Sequence, residues 1–381
     1  MPFMPLTLIS ALLHLYIGWR LIPELGTPSA EWALGVALVL SAALMPMGLL
    51  ARGIRNRPLA DALSWVGLIF MGLFSSLFVL TLARELGLLA GTLAAAVLPG
   101  GVSLEGFAQW TARAVPVLAG IVTVWGFVNA RRRAAVVSVE VPIRGLPPAL
   151  QGFTIAQISD IHVGPTIKGP YLQAIVDAVN GLRADMVAVT GDLVDGSVHE
   201  LSAHVAPLAG LSSRHGTFFV TGNHEYYSGA HAWIAELRRM GIRVLMNEHT
   251  VLQHGASPLV VAGVADFSAH HFDPSHRSDP QAAMAGAPDS APVRLLLAHQ
   301  PRSAEAAERA GFQLQLSGHT HGGQFFPWNF FVPLQQPFTA GLHRLKNLWV
   351  YTSRGTGYWG PPKRFGAPSE ITHLTLVAAP G

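Results

Sequence analysis

Residues 314–323 read LQLSGHTHGG. An apolar run with strand-like alternation stops at Ser317, and the chain then sets His319 and His321 among Gly318, Gly322 and Gly323. Two histidines alone decide little, but the same construction recurs. IAQISDIHVG (155–164) delivers Asp160 and His162, and VAVTGDLVDG (187–196) delivers Asp192. FFVTGNHEYY (218–227) delivers Asn223 and His224, and LLLAHQP (295–301) delivers His299. Between these runs, Leu172, Ile175, Val176, Val179 and Leu182 recur at helical spacing and predict an amphipathic helix over 169–183. Trp233, Ile234 and Leu237 mark another helix. Strands alternating with helices imply an α/β domain, and ligands in such sheets gather at strand ends.

Further strands are expected at VVSVEVPI (136–143), IRVLM (242–246), PLVVAGV (258–264), LWVYTS (348–353) and ITHLTLV (371–377). RGLPPALQG (144–152) reads as a linker, and the polar, proline-containing stretch from Ala269 to Pro292 as a mobile loop.

The residue types at the five junctions suit metal ions. The chain has no cysteine, so a metal must be held by nitrogen and oxygen. Carboxylate, imidazole and amide favour manganese, iron or zinc over copper(I) or iron–sulfur clusters. Two divalent ions about 3.5–4 Å apart can hold both the attacking and the leaving oxygen of a phosphoryl displacement, and such a pair needs a bridging carboxylate. Glycines let the backbone turn sharply beside the ions. On an extended segment residues i and i+2 point the same way, so His319 and His321 are expected to reach two neighbouring ions.

These blocks resemble the signature of the calcineurin-like metallophosphoesterase superfamily: D-x-H, G-D, G-N-H-E, H and G-H-x-H. The matches are Asp160-Ile161-His162, Gly191-Asp192, Gly222-Asn223-His224-Glu225, His299 and Gly318-His319-Thr320-His321, all in order. The resemblance covers roughly Val136 to the C-terminus. The tail SRGTGYWGPPKRFGAPSEIT (353–372) is similar to the bacterial membrane-associated phosphodiesterase branch. The resemblance implies a β-sandwich flanked by helices, with two divalent metal ions (manganese, iron or zinc) at one edge. Asp160, His162 and His321 would hold the first ion, and Asn223, His299 and His319 the second, with Asp192 bridging. His224 would contact the phosphate and protonate the leaving oxygen, Asp195 would orient it, and a hydroxide between the ions would be the nucleophile. One departure is informative. Where the family's Ser/Thr phosphatases carry an arginine that clamps a phosphomonoester, Gly196 follows Asp195 here. This tilts the expectation towards phosphodiester or pyrophosphate bonds.

The first third of the chain has a different character. Half of all residues are hydrophobic and 12% are charged, against about 25% in ordinary soluble domains. Uncharged runs at 32–50, 63–82 and 114–130, with 6–22 interrupted only by Arg20, approach the ~20 apolar residues that cross a bilayer as a helix. Arg20 lies near a span end, where a long side chain can snorkel. A cleavable signal peptide followed by soluble helices would not produce several such runs in succession. Leu86–Leu104, broken by Pro99, Gly100 and Gly101, reads as an interfacial or re-entrant segment. The expected division is a four-helix transmembrane domain over 1–133 and the metallophosphoesterase domain over 134–381. Arg52, Arg55 and Arg57, then Arg131, Arg132 and Arg133, sit at alternate loop positions. The positive-inside rule then puts the N-terminus and the catalytic domain in the cytoplasm, at a bacterial inner membrane.

The net charge of +3 and the lack of a basic stripe interleaved with aromatics argue against nucleic acid as a partner. The expected function is therefore a membrane-anchored dimetal phosphoesterase, with membrane lipids as neighbours and a lipid-linked phosphoester as substrate. A tethered diesterase for soluble or cyclic nucleotides is the second reading. A non-catalytic metal-binding sensor or scaffold is the third, and retention of both His224 and Asp195 weighs against it.

Overall fold

The computed structural model describes residues 4–97 and 104–380. The chain divides into two compact units, residues 1–128 with 360–363, and residues 129–359 with 364–381. The expected boundary at 133/134 thus moves into the last long helix, and four residues of the tail go with the helices. Lys363 explains this: its Nζ donates to the Gly72 carbonyl at 2.9 Å and to Ser76 Oγ.

The first unit contains α1 (Met4–Leu21), α2 (Pro28–Leu44), α3 (Met47–Leu50), α4 (Arg57–Val97) and most of α5 (Leu104–Arg131). Four stretches, Leu6–Glu24, Pro28–Leu50, Arg57–Val97 and Leu104–Arg131, are long and apolar enough to cross a membrane. Leu86–Val97 is not a separate interfacial segment. It continues α4, because it is rich in the strong helix formers leucine and alanine, while Leu104 opens α5; Pro99, Gly100 and Gly101 lie outside the described residues. At 41 residues, α4 is roughly 60 Å long, about twice the hydrocarbon thickness of a bilayer.

Ile17, Leu21, Leu34, Leu38, Leu77 and Val115 pack inside this unit, yet Leu12, Trp19, Val39, Val117 and Trp125 point outwards. Helices apolar on every side suit a lipid surround. Several of their polar groups pair with one another. His14 meets the Ser10 carbonyl at 2.7 Å and Ser41 Oγ at 2.8 Å. Arg20, expected to snorkel, instead pairs with Glu85 at 2.6 Å, and Glu85 also takes Arg84 at 2.8 Å.

The second unit holds two six-stranded sheets. The first runs in the order β1 (Ala135–Ile143), β12 (Glu370–Ala378), β2 (Thr154–Ile158), β3 (Met186–Val189), β4 (Thr217–Phe219), β5 (Arg243–Val244). The second runs β10 (Gly341–Leu345), β11 (Leu348–Thr352), β9 (Leu314–Ser317), β8 (Val293–Leu297), β7 (Ser257–Gly263), β6 (Glu248–His254). Strands β2 to β5 are mutually parallel, as are β7, β8 and β9. Phe153, Ile155, Met186 and Phe218 from the first sheet meet Leu259, Val261, Leu295, Leu297 and Leu316 from the second. The opposite face of the first sheet is covered by α6 (Gly169–Gly181), α7 (Val198–Val205) and α9 (Ala230–Arg239), which follows the short α8 (Asn223–Tyr227), through Leu172, Ile175, Val179, Leu201, Val205, Trp233 and Leu237. The second sheet is covered by α10 (Pro280–Met284) and α11 (Ala304–Arg309) through Ala283, Ala304 and Ala307. The architecture is the expected β-sandwich flanked by helices.

The stretch 269–292 departs from the mobile-loop expectation. Asp279 caps α10 by accepting from Gln281 N and Ala282 N, and Ala283 is buried against the sheet. Strands β6 and β10 carry His249, Gln253, His343 and Arg344 and lack the apolar alternation that would announce them.

Trp233 is fully buried, and its Nε1 donates to the Gly196 carbonyl at 2.9 Å. Trp233→Ala should therefore lower stability by about 3–5 kcal/mol, the usual range for a buried tryptophan. Thermal unfolding of the full chain in detergent reads this directly, and an unchanged midpoint would refute the packing argument.

Candidate metal centre

The loops after β2, β3 and β4 in one sheet, and after β8 and β9 in the other, converge on one edge of the sandwich. Two cross-sheet hydrogen bonds hold that edge together. Gln157 Nε2 on β2 donates to the Ser317 carbonyl of β9 at 2.9 Å. His299 Nδ1 donates to the Thr190 carbonyl at 2.7 Å. The second bond also fixes the ring's orientation and turns Nε2 towards Asp192 Oδ2 in the centre.

Six of the seven predicted metal residues come together here in two groups. Asp160, His162 and His321 form one group, and Asp192, His299 and His319 another, with ligand atoms in each group within 4.8 Å of one another. His162 Nε2 and His321 Nε2 are 3.1 Å apart, and Asp160 Oδ1 is 3.6 Å from the latter. His299 Nε2 lies 3.2 Å from His319 Nδ1 and 3.1 Å from Asp192 Oδ2. That same Oδ2 is 3.9 Å from His162 Nε2, so one carboxylate oxygen faces both groups. Its other oxygen, Oδ1, accepts from His224 N at 2.8 Å. Asn223 Oδ1 is buried with no hydrogen-bond partner.

Zinc-type bonds of about 2.0–2.2 Å hold their ligands roughly 3–3.5 Å apart, and the spacing in both groups is close to this. Clustered imidazoles and carboxylates, with the buried, partnerless amide oxygen of Asn223 next to His224 in the chain, are a donor set that divalent ions accept. The residues fit two divalent ions. Burial pushes His319 down to about 3 and His321 well below its ordinary value, with His299 adding to the first and Arg364 to the second. Both imidazoles are thus neutral and metal-competent at neutral pH.

The backbone is bent to achieve this. Asp160, His162, Asp192, His319 and His321 have φ of 53°, 57°, 51°, 72° and 51°. Non-glycine residues rarely adopt the left-handed region, at about 1–3 kcal/mol each, and such strain gathers at functional sites. The expectation that His319 and His321 reach the ions from an extended segment is therefore corrected: each is turned outward by a left-handed residue. Gly318 makes the turn possible by close approach. A Cβ there would lie 2.0 Å from Ser159 Oγ and 2.1 Å from Asp160 Oδ2. Gly191, at φ 86°, lets the Asp192 loop pass Gly222 and His299.

His224 Nδ1 meets Asp195 Oδ1 at 2.6 Å, the contact expected from the sequence. The same oxygen also reaches His162 Nδ1 at 3.2 Å, so Asp195 serves a metal-group histidine as well. Burial disfavours its charge, but the two imidazoles outweigh that and hold its carboxyl well below the usual range. His224 is likewise raised by Asp195 against the effect of burial. His224 Nε2 stands 4.0 Å from Asp192 Oδ2, and the rings of Trp359 and Tyr227 lie 5.6 and 5.1 Å from its own. Gly196 does not look into the site. A Cβ there would meet Leu201 at 3.0 Å and Glu200 at 3.2 Å.

Two supporting residues escaped the sequence reading. Glu225 is buried and accepts from Asp192 N, Leu193 N and Gly222 N at 3.0, 2.8 and 2.6 Å, tying two loops together. Burial and the nearby Asp192 carboxylate push its carboxyl up to about 8, against the pull of the backbone donors. Arg364, also buried, donates to the carbonyls of His321, Arg354 and Gly357 at 2.9, 2.7 and 3.1 Å, and its Nη2 lies 3.1 Å from His321 Nδ1. Glu225 stands inside the G-N-H-E block and Arg364 inside the tail motif, so the signal was their position in a motif without an assigned role.

Residues 153–323 match the family described as calcineurin-like phosphoesterase. The chain is 42% identical over 281 residues to a transmembrane protein with metallophosphoesterase domain from Bos taurus, covering 70% of this chain and 63% of that one. It is 39% identical over 271 residues to a protein of the same description from Danio rerio, covering 69% and 62%. The chain therefore spans less than two thirds of the length of these two relatives. An uncharacterized metallophosphoesterase from Aquifex aeolicus is 32% identical over 224 residues, which cover 58% of this chain and 84% of that protein. With its dinuclear His/Asp centre and its apolar helices, the chain is a membrane protein that belongs to the calcineurin-like metallophosphoesterases.

Proposed function

We propose that this chain hydrolyses phosphodiester or pyrophosphate bonds of a lipid-linked substrate at the cytoplasmic face of a bacterial inner membrane. The observation that carries the reading is the single oxygen, Asp192 Oδ2, facing two metal-competent groups, with the His224–Asp195 pair alongside. Asp160, His162 and His321 would hold one ion, Asn223, His299 and His319 the other, and Asp192 both. The ions supply Lewis acidity and activation of water. The protein's own part is to position and to move a proton. His224 Nε2 faces the space beside Asp192 while Nδ1 is tied to Asp195, which fixes the tautomer and keeps the ring basic enough to be a proton donor to a leaving oxygen. The preference for diesters rests on the family resemblance alone, in which the arginine that clamps a phosphate dianion is missing after Asp195, since Gly196 itself faces Leu201 and Glu200.

His224→Ala should keep two bound metals and lose about 10²–10⁴-fold in rate, the usual contribution of a positioned acid or base. Asp195→Asn should behave differently from a simple partner of His224. Because Asp195 also holds His162, the variant should bind the first metal about 10–100-fold more weakly as well as turn over more slowly. Metal content by mass spectrometry and kcat for the two variants separate these outcomes. Loss of metal in His224→Ala would make His224 a ligand, and full metal retention in Asp195→Asn would remove its role through His162.

The bond preference is read from kcat/KM on bis-p-nitrophenyl phosphate against p-nitrophenyl phosphate, with the diester expected to be favoured. A strong monoester preference would overturn it. Introducing arginine at Gly196 is a poor converse test, since its side chain would meet Leu201 and Glu200. Lipid-linked and soluble nucleotide diesters, offered side by side, decide between the first reading and the tethered nucleotide diesterase.

The cytoplasmic assignment follows from four spans and the two arginine clusters. A C-terminal alkaline phosphatase fusion, active only after export, should be inactive. High activity would place the catalytic domain on the other side.

A further inference from the structure

Residues 322–342, directly after His321, contain no Asp, Glu, Lys, Arg or His. They are rich in phenylalanine and proline, yet the stretch 326–335 lies largely on the surface rather than in the core. Phe330 is 66% exposed and Leu334 80%, and Phe326, Trp328 and Phe331 are exposed beside them. This is a constructed display. Turns at Trp328–Phe330 and Val332–Leu334 close on their own backbone bonds. The base is fixed by Phe326 N to the Phe365 carbonyl at 2.8 Å, and by Gln336, whose side chain accepts from Arg302 N and donates to Gln300 Oε1. The rings pair, Phe326 with Phe330 and Trp328 with Phe331, each at 5.6 Å. An exposed apolar patch on such a rigid base marks an interaction surface.

The patch continues to the reaction centre. Gln324 clamps the backbone of Trp359 in both directions at 2.8 Å, and the Trp359 ring stands 5.6 Å from that of His224. At the margin Arg302 lies over the exposed Phe267 ring at 5.1 Å and donates to the Gln335 carbonyl. Exposed aromatic and aliphatic side chains edged by a cation have the composition of an interfacial membrane segment, with the cation suited to anionic headgroups.

The chain itself says which surface is available. Helix α5 ends at Arg131 and β1 begins at Ala135. The three intervening residues can reach no further than about 14 Å, so the domain meets the chain's own bilayer at high effective concentration. We infer that Phe326–Leu334 inserts into the interface of the bilayer that holds the spans, and docks the catalytic domain on anionic lipid. This docking presents the metal centre to substrate in the headgroup layer. The inference rests on membrane association and deepens the lipid-linked reading of the site.

The absence of cysteine makes a direct test available. Phe330→Cys and Leu334→Cys, each in the full chain, are labelled with a nitrobenzoxadiazole fluorophore in nanodiscs of phosphatidylcholine and phosphatidylglycerol. Ala256→Cys, in the turn between β6 and β7 at the far edge of the second sheet, is the reference. Docking predicts that labels at 330 and 334 lose emission to lipids carrying a doxyl group near the headgroup and resist aqueous iodide. The label at 256 should show the reverse. Labels at 330 and 334 quenched by iodide but not by doxyl lipid would overturn the inference. Shielding from both quenchers would equally overturn it, in favour of a protein partner or a second copy. The readout does not depend on turnover, so failure of docking and failure of the proposed hydrolysis are told apart.

Discussion

His299 Nδ1 donates to the Thr190 carbonyl across the gap between the two sheets, at 2.7 Å, and the rest of the centre depends on this crossing. One sheet supplies Asp160, His162, Asp192 and Asn223, and the other supplies His299, His319 and His321. Neither set is complete alone. A pair of ions tolerates errors of only a few tenths of an ångström in ligand position, so the edges of the sandwich must be held in register. The Thr190 bond and the Gln157 to Ser317 bond do this with buried, fully directed contacts. The apolar interior beneath them makes the register stiff, because close-packed cores do not shear.

Strain at the loops follows from the same demand. Five candidate ligand residues sit in left-handed conformations at about 1–3 kcal/mol each, a sum comparable with the net stability of a whole domain. Such a set persists only where surrounding bonds over-determine it. Glu225 provides three of them to the backbones of the Asp192 and Gly222 loops. Arg364 provides others behind His321. The centre is therefore held in shape by the protein's own bonds, and burial favours the neutral form of His319 and His321.

The helical unit solves a different problem. Its exterior carries apolar side chains as its interior does, and three of its charged side chains, Arg20, Glu85 and Arg84, pair with one another, as lipid surroundings favour. In the proposed reading, anchoring keeps the catalytic domain next to the bilayer. For a hydrolase this favours substrates that are themselves confined there. The aromatic segment after His321 is what such a confined domain can use as a second point of attachment.

How much of this was legible beforehand depends on the range of the interactions. The five strand-end blocks mark Asp160, His162, Asp192, Asn223, His224, His299, His319 and His321 as candidates, because metal-competent side chains directly after apolar runs are a local pattern. The uncharged runs announced four spans for the same reason: a helix in lipid satisfies its own backbone, so composition alone marks it. Asp195 contacting His162, Glu225 spanning two loops, Arg364 behind His321 and the left-handed turns were not legible, since each depends on residues brought together from distant parts of the chain. Gly196 shows the difference most sharply. From the sequence it is a missing clamp, but only the fold reveals that its Cβ direction points at Leu201 and Glu200. The sequence by itself determined which chemistry the chain can perform, because ligand identity is written residue by residue. The tertiary structure alone decided how those ligands are oriented, shared and supported, because orientation comes from packing two sheets whose edges must agree.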